Sequence, residues 1–157
     1  MADNRPAALR AAELPARTAS IYPAAFAKAL EGRSKRALGD AFDLTQFGVN
    51  YTVLEPGSAS SERHWHAVED ELVFVLEGEV TLIDEAGEHL LVPGMCAGFR
   101  AGVANGHKLV NRGAVRAVFL EIGTRSPTES VVYPDVDMLA RKAGGKYILT
   151  HKDGTPY

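Results

Sequence analysis

Residues 63–79 carry the sequence RHWHAVEDELVFVLEGE, in which two histidines one residue apart precede a cluster of acids and an apolar run. Side chains at positions i and i+2 of a β-strand point to the same face, so His64 and His66 are expected to project side by side. Glu71 begins the apolar run ELVFVL, which predicts a strand. If the two strands are neighbours, the Glu71 carboxylate joins two imidazoles, and imidazole is the commonest metal ligand in proteins. The stretch predicts three metal ligands on one face, with open positions for water or substrate.

A fourth candidate ligand lies downstream, where His107 begins the run HKLVN. Strand alternation places Asn111 on the same face as His107. Two other acids, Glu69 and Asp70, compete with Glu71 for the ligand role, and we prefer Glu71 because it begins the apolar strand. The predicted donor set is His64, His66, Glu71 and His107.

The remaining histidines and the single cysteine are interpreted as structural or surface residues. His89 and His151 are expected to face solvent. Cys96 is expected to be a small buried apolar residue, because no histidine adjoins it in the sequence. One cysteine allows no intrachain disulfide. The sequence also has no phosphate-binding glycine loop, no nucleophile elbow, no paired Cys-x-x-Cys and no basic helix.

From Phe47 onwards, short β-prone runs follow one another, separated by glycine, proline and asparagine, and no long amphipathic helix intervenes. This pattern of short strands and turns predicts an all-β barrel or sandwich rather than a parallel α/β sheet. The predicted strands are FGVNYTVL, ELVFVL, EVTLID, HLLV, HKLV, VRAVFLEI, SVVY and KYIL. The segments LEGEV and IDEAGEHL are predicted to be tight hairpin turns.

Two regions flank or extend these strands. Residues 1–46 are expected to form an N-terminal tail with a short helix over residues 23–30, PAAFAKAL, followed by a loop, GRSKRALGD. Residues 47–157 are expected to form the β-domain with a C-terminal extension. In that extension, DVDMLARKAGG predicts a second helix that is stopped by the double glycine.

The composition is that of a water-soluble globular protein. The chain has 157 residues, of which 46% are hydrophobic and 24% charged, and a formal net charge of −3. That charge gives no electrostatic reason to expect nucleic acid or an anionic membrane as a partner. No secretory signal and no run of about 20 apolar residues is present, so we expect a cytoplasmic protein.

The histidine-rich stretch resembles the first motif of the cupin family. That motif runs glycine, about five residues, His-x-His, three or four residues, glutamate, six residues and glycine. Its positions are occupied here by Gly57, His64, His66, Glu71 and Gly78. The one departure is that six residues, instead of five, follow Gly57.

A second cupin motif is matched more loosely, from Gly94 to Asn111. Arg100 stands where the motif usually has proline. Four residues, instead of two, separate Gly102 from His107. The spacing of His107 and Asn111 is that of the motif, so the departures concern the loop at the mouth of the pocket.

The resemblance covers roughly residues 47–122 and implies a small single-domain cupin with a jelly-roll-like β-barrel, short terminal helical segments and usually a homodimeric assembly. It implies one divalent metal ion per subunit, Zn, Ni, Fe or Mn, held by three histidines and one glutamate. The N-terminal tail would then pack on the barrel or on the partner subunit.

The expected function is a small metalloenzyme with an isomerase-like activity on a small polar or anionic substrate, such as a sugar or sugar phosphate. A cupin dioxygenase and a non-catalytic small-ligand-binding cupin remain as alternatives. Arg100 is expected to bind an anionic group at the barrel mouth, since its planar fork suits carboxylate or phosphate. Glu62 is a candidate general base that shares the face of His64, and Asn111 is a candidate substrate contact. A DNA-binding regulator is disfavoured because residues 1–46 are too short and proline-interrupted.

Overall fold

The computed structural model describes residues 5–157, and twelve β-strands make up most of the regular structure in this range. The strands are β1 (Arg33–Ala37), β2 (Phe47–Leu54), β3 (Trp65–His66), β4 (Glu71–Glu77), β5 (Val80–Asp84), β6 (Gly87–Leu91), β7 (Cys96–Phe99), β8 (Lys108–Val110), β9 (Ala117–Thr124), β10 (Ser130–Tyr133), β11 (Met138–Ala143) and β12 (Lys146–Thr150). All the strand pairs are antiparallel.

Helices are few and short. The described range contains α1 (Ala24–Ala27), α2 (Leu38–Ala41) and 3-10 turns at Ala11–Glu13 and Lys28–Leu30. The predicted helix over residues 23–30 is confirmed as α1 and the 3-10 turn that follows it. Within residues 5–157, none of the helices combines the length and the apolar character that crossing a bilayer requires.

The strands form three sheets. The five-stranded sheet has the order β1-β2-β9-β4-β7, the three-stranded sheet β6-β5-β8 and the four-stranded sheet β12-β11-β10-β3. The predicted all-β architecture is therefore present, but pairing among the described strands does not close into one continuous barrel. The five-stranded and three-stranded sheets enclose the main hydrophobic core instead.

Strand alternation builds that core. On β4, Val73 and Val75 are buried, whereas Leu72 and Phe74 point outwards and are exposed. The main core comprises Leu54, Val73, Val75, Val80, Leu82, Leu91, Leu109, Ala117 and Phe119. A second cluster on the four-stranded sheet comprises Val131, Tyr133, Met138 and Ala140, and it packs against Tyr22 and Phe26 from the N-terminal segment.

The predicted C-terminal helix is wrong. Residues 138–150 form the β11–β12 hairpin, in which Ala143 pairs with Lys146. Gly144 and Gly145 have φ values of 56° and 79°, the left-handed conformation that a two-residue type I′ turn requires. The double glycine therefore turns a hairpin and does not stop a helix. Met138 and Ala140, two residues apart, are buried, which is the alternation of a strand, whereas the consecutive apolar residues Met138, Leu139 and Ala140 show no alternation in the sequence.

The predictions of a hairpin at LEGEV and of a loop at GRSKRALGD are also wrong. The segment LEGEV is not a hairpin, because β4 and β5 belong to different sheets and the turn carries the chain between them. Gly78 makes this crossing with a φ of 66°, where an added Cβ would lie 2.5 Å from the Arg116 carbonyl oxygen. The predicted loop GRSKRALGD contains β1, which pairs with β2 along its whole length. The polar sequence RSKRA shows no hydrophobic alternation, so it gave no strand signal.

Cys96 is exposed, which contradicts its predicted burial. On β7, Ala97 and Phe99 pack against the core, so the alternation of the strand turns Cys96 to the outer face, opposite Phe74. His89 is exposed, as predicted. His151 is half-buried, because its ring hydrogen-bonds Asp137 and stacks on Tyr157.

Candidate functional site

The structure brings the four predicted metal ligands together at one end of the main core. His66 ends β3, Glu71 begins β4, and His107 directly precedes β8. His64 and His107 are joined by two backbone hydrogen bonds, the His64 N–H to the His107 carbonyl and the His107 N–H to the His64 carbonyl, at 3.1 and 2.8 Å. The backbone thus places imidazoles from two separate segments side by side.

The ligand atoms of His64, His66 and Glu71 are close enough to share one ion, and His107 contacts the carboxylate of this group. Glu71 Oε2 lies 3.3 Å from His66 Nε2 and 3.0 Å from His107 Nε2. The ligand atoms of His64, His66 and Glu71 all lie within 4.8 Å of one another. Two ligands about 2.1 Å from an ion and about 90° apart are separated by about 3.0 Å. Imidazole nitrogens with one carboxylate oxygen suit first-row divalent ions, so the donor set fits a metal of that class.

Contacts behind the histidines fix their orientation. His64 Nδ1 donates to the Glu62 carbonyl oxygen at 3.0 Å and also contacts Ser61 Oγ at 3.1 Å, which leaves Nε2 for the cluster. The His107 ring stacks on Phe99 with a centroid separation of 3.4 Å and an interplanar angle of 5°. Both imidazoles are therefore held in one orientation by neighbours outside the cluster.

Glu129 is a buried acid behind His66 that the sequence analysis did not identify. Its carboxylate accepts hydrogen bonds from the backbone N–H groups of Ala67 and Val68, at 3.0 and 3.2 Å. Glu129 Oε1 also lies 3.6 Å from His66 Nδ1, a buried nitrogen that has no hydrogen-bond partner within residues 5–157. A carboxylate in this position sets the orientation of a metal-ligating histidine.

The charges in the cluster suit a cation. Burial lowers the pKa of His64 to about 3, which keeps this imidazole neutral. Burial alone would raise the pKa of Glu71, but hydrogen bonds from His107 and His66 outweigh it and hold the pKa well below its usual value. Metal ligands must be a neutral imidazole or a deprotonated carboxylate, and His64 and Glu71 are held in those states. Burial lowers the pKa of His66, but the hydrogen bond with Glu71 outweighs it and raises that pKa.

Glu69 and Asp70, the two acids that compete with Glu71 for the ligand role, accept hydrogen bonds from other parts of the chain. Glu69 is buried and accepts hydrogen bonds from the Ser126 N–H at 2.6 Å and from Lys142 Nζ at 2.7 Å. With His66 and Glu129 it forms a second group of closely spaced ligand-type atoms, although both protein donors already bind its Oε1. Asp70 is exposed and accepts from the Ala101 N–H at 2.8 Å. Only Glu71, of the three neighbouring acids, contacts two of the histidines.

A cavity of about 450 Å³ adjoins the cluster, and His64, His66, Glu71 and His107 line it. The N-terminal segment forms part of its wall. Arg17 is bridged to Lys35 on β1 by two backbone hydrogen bonds, and the chain from Arg17 to Tyr22 then borders the cavity. The other charged lining residues are Arg17, Arg33, Lys35, Asp40, Glu69, Asp70, Glu121, Arg125 and Lys142.

The three predicted substrate-binding residues do not line this cavity. Arg100 is exposed and borders a smaller depression of about 210 Å³, which also reaches His66 and His107. The Glu62 carboxylate lies 3.8 Å from Lys108 Nζ.

Asn111 is fully buried, and its side chain hydrogen-bonds the surrounding backbone. Its amide nitrogen donates to the carbonyl oxygens of Leu54 and Val115, at 2.8 and 2.9 Å. Its oxygen accepts from the Gly113 N–H at 2.9 Å. These contacts tie the loop after β8 to the end of β2.

The residues around the cavity that sequence reasoning missed come from the N-terminal segment, from β9 and from the β11–β12 hairpin, which contributes Lys142 and Tyr147. Arg33 and Lys35 lie in a polar strand without a hydrophobic pattern, and Tyr22 lies in the predicted tail. Glu121 interrupts the apolar run VRAVFLEI, and this single acid at an inward position was the one available signal.

Comparison with known proteins identifies the family. A cupin domain model matches residues 50–123. The chain is 47% identical to a sugar phosphate isomerase of the cupin superfamily from Silicibacter pomeroyi DSS-3, over 96% of each chain and with a TM-score of 0.91. It is 33% identical to a candidate sugar phosphate isomerase from Acidithiobacillus ferrooxidans, over 80% of each chain and with a TM-score of 0.72.

A polyketide cyclase from Streptomyces resistomycificus shares the fold alone, at 18% identity and a TM-score of 0.66 over 82% of this chain and 85% of the other. No curated protein gives a significant match. The cluster of histidines, the sheet arrangement and the similarity over nearly the whole chain agree: this protein belongs to the cupin superfamily.

Proposed function

We propose that this protein is a metal-dependent isomerase that acts on a small phosphorylated sugar. The observation that carries the proposal is the 47% identity, over 96% of each chain, to a structure described as a sugar phosphate isomerase. A cavity of about 450 Å³ beside the histidine cluster supports it, since small-molecule sites span roughly 300–1,000 Å³.

In this proposal, His64, His66, Glu71 and His107 hold one divalent ion per subunit, which is Zn, Ni, Fe or Mn. A bound divalent ion would supply Lewis-acid polarisation of substrate hydroxyl or carbonyl oxygens. The protein side chains fix the sugar beside it and exclude water. The Tyr22 and Tyr133 rings, in edge contact at a centroid separation of 5.5 Å, pack close to His64 and limit the cavity on that side.

Glu121 is the proposed proton-transfer residue. Interconversion of an aldose and a ketose moves a proton between adjacent carbons, and this step requires a positioned base. The Glu121 side chain is 10% exposed, lines the cavity and lies 2.7 Å from Lys35 Nζ through Oε2. Glu62, the acid favoured from sequence, does not line the cavity. We therefore assign Glu121 to take the proton from the substrate carbon and return it to the neighbouring carbon.

Two of the competing acids in the cavity, Asp40 and Glu69, are held by more partners, and a third, Asp70, is exposed and accepts from the Ala101 N–H. Asp40 is shared by Arg17 and Arg125, and Glu69 by the Ser126 N–H and Lys142. The single cationic partner of Glu121 orients its carboxylate and leaves acceptor positions for a substrate.

The proposal is tested by following five- and six-carbon aldose and ketose phosphates by NMR in D₂O with metal-loaded protein. We expect interconversion with deuterium incorporation at the neighbouring carbon, which receives the proton, because the carbon that loses its proton becomes the carbonyl carbon of the product. Turnover should fall by about 100-fold or more in Glu121→Gln and remain in the surface control Glu77→Gln. Saturable binding without turnover would favour the non-catalytic ligand-binding alternative, and oxygen consumption under air would favour a dioxygenase.

We also propose that the chain is a homodimer that uses the outer face of β4. Leu72 and Phe74 on that face are 40% and 36% exposed, and they lie beside Ile122 and Leu120 of β9. A second copy would cover this apolar surface. Sedimentation of the wild type should give a dimer, whereas Leu72→Lys/Phe74→Lys should give a monomer. A monomeric wild type at micromolar concentration would refute the assembly.

A further inference from the structure

Arg33, the first residue of β1, lines the cavity that contains His64 and Tyr22. Its half-buried guanidinium donates from Nη1 to the Ser60 carbonyl oxygen at 2.6 Å. The next residue, Ser61, contacts His64 Nδ1 through its hydroxyl at 3.1 Å. Arg33 is therefore connected to the histidine cluster by one short backbone segment.

Arg33 differs from the other cations of the cavity in having no acidic partner within residues 5–157. The other four each form an ion pair with a carboxylate that also lines the cavity. The pairs are Lys35 with Glu121, Lys142 with Glu69, and both Arg17 and Arg125 with Asp40. A partly desolvated charge is costly unless it is paired, so the structure leaves one guanidinium to be neutralised by a ligand.

The charge count of the cavity indicates the ligand's charge. Five cations and five carboxylates line it, and these cancel when the histidines are neutral. A divalent ion in the cluster would leave a surplus of two positive charges. A phosphate monoester carries about −1.5 to −2 near neutral pH, which matches that surplus.

We infer that Arg33 binds the phosphate group of the substrate, and this inference rests on the proposed function. With Nη1 bonded to Ser60, the Nη2 and Nε donors of the planar guanidinium remain for two parallel hydrogen bonds to phosphate oxygens. Arg100, the arginine expected from sequence to bind an anion, borders a different depression. The position of Arg33 on β1, in the cavity that His64 also lines, directs the phosphate end of the substrate to the β1 side.

The test is titration of the metal-loaded protein with inorganic phosphate, followed by calorimetry. Arg33→Ala should raise the Kd for phosphate by about 10- to 100-fold, which is the loss expected for charge-assisted hydrogen bonds. Arg33→Gln, which keeps a donor for the Ser60 carbonyl, should weaken binding to a similar degree. Arg116, which is exposed and paired with Glu77, provides the control Arg116→Ala, which should bind phosphate within twofold of the wild type.

The inference would be overturned by the absence of saturable phosphate binding to the wild type up to about 10 mM phosphate, by unchanged affinity in both Arg33 variants, or by a loss of affinity in Arg100→Ala instead. Titration of metal-depleted protein separates phosphate held by Arg33 from phosphate held by the metal. Phosphate binding that is lost when the metal is removed and is unchanged in the Arg33 variants would also overturn the inference.

Metal content and melting temperature of each variant show whether the fold and the cluster remain. If Arg33-dependent phosphate binding is found but no sugar phosphate is isomerised, the proposed activity fails while the phosphate site stands. If turnover is found, Arg33→Ala should raise KM for the phosphorylated sugar more than it lowers kcat.

Discussion

Glu129→Gln tests whether the buried acid behind His66 supports the candidate metal centre. The side chain of Glu129 is fully buried, and Oε1 lies 3.6 Å from His66 Nδ1. Glutamine has nearly the same shape but no charge, so the substitution removes the carboxylate while it keeps the volume. Partners of metal-ligating histidines typically contribute 10- to 100-fold in metal affinity. We expect zinc to bind about 10- to 100-fold more weakly, which is about 1.4–2.7 kcal/mol.

The same substitution should also reduce stability. The two oxygens of Glu129 accept hydrogen bonds from the Ala67 and Val68 N–H groups, one each. Glutamine offers a single acceptor oxygen and presents its amide donor to the other N–H, so one of these hydrogen bonds is lost, although the Ala67 N–H keeps the Ser130 carbonyl oxygen at 2.9 Å as an acceptor. We expect the free energy of unfolding of metal-free protein to fall by about 1–3 kcal/mol.

Competition with a chromophoric chelator measures the zinc affinity, and urea denaturation of metal-free protein measures the stability. Glu88→Gln, at an exposed carboxylate paired with Arg112, is the matched control and should leave zinc affinity unchanged. Zinc affinity within twofold of the wild type, together with reduced stability, would refute a role for Glu129 in orienting His66. Glu129 would then only accept hydrogen bonds from the backbone and would not orient His66.

Two further substitutions test the roles of particular residues in the fold. Asn111→Ala removes three hydrogen bonds between a buried side chain and the backbone, so the free energy of unfolding in urea should fall by about 2–4 kcal/mol, while metal content per folded protein stays the same. Unchanged stability with lost ligand binding would favour the substrate role predicted from sequence. Gly78→Ala combines a positive φ with a Cβ contact of 2.5 Å to backbone, so it should lower the melting temperature more than Gly144→Ala, where nothing lies within 4 Å. Equal decreases in melting temperature would show that the turn at Gly78 between the two sheets accommodates a Cβ without additional strain.

The strands were largely predictable because apolar alternation and turn residues mark them. The run FGVNYTVL coincides with β2, and ELVFVL forms β4 but for one residue. The four ligand candidates were also predictable, since His64 and His66 are two positions apart and Glu71 begins a strand. These features are local, so they can be recognised without knowledge of distant contacts.

The cavity wall could not be predicted because it depends on pairing between distant segments. Glu129 reaches the backbone of residue 67 only because β10 pairs with β3, where Val131 lies opposite His66. Arg33 borders the cavity only because β1 joins the edge of the five-stranded sheet. The polar composition of β1 gave no periodic signal, and the hairpin after Met138 was mistaken for a helix.

The central claim is that His64, His66, Glu71 and His107 hold a single ion. Elemental analysis of protein purified without added metal, beside His64→Ala/His66→Ala, tests it most directly. We predict close to one equivalent of a divalent transition metal per chain in the wild type, and less than about a tenth of that in a folded double variant. A wild type without stoichiometric metal, even after incubation with zinc, nickel, iron and manganese, would contradict the account.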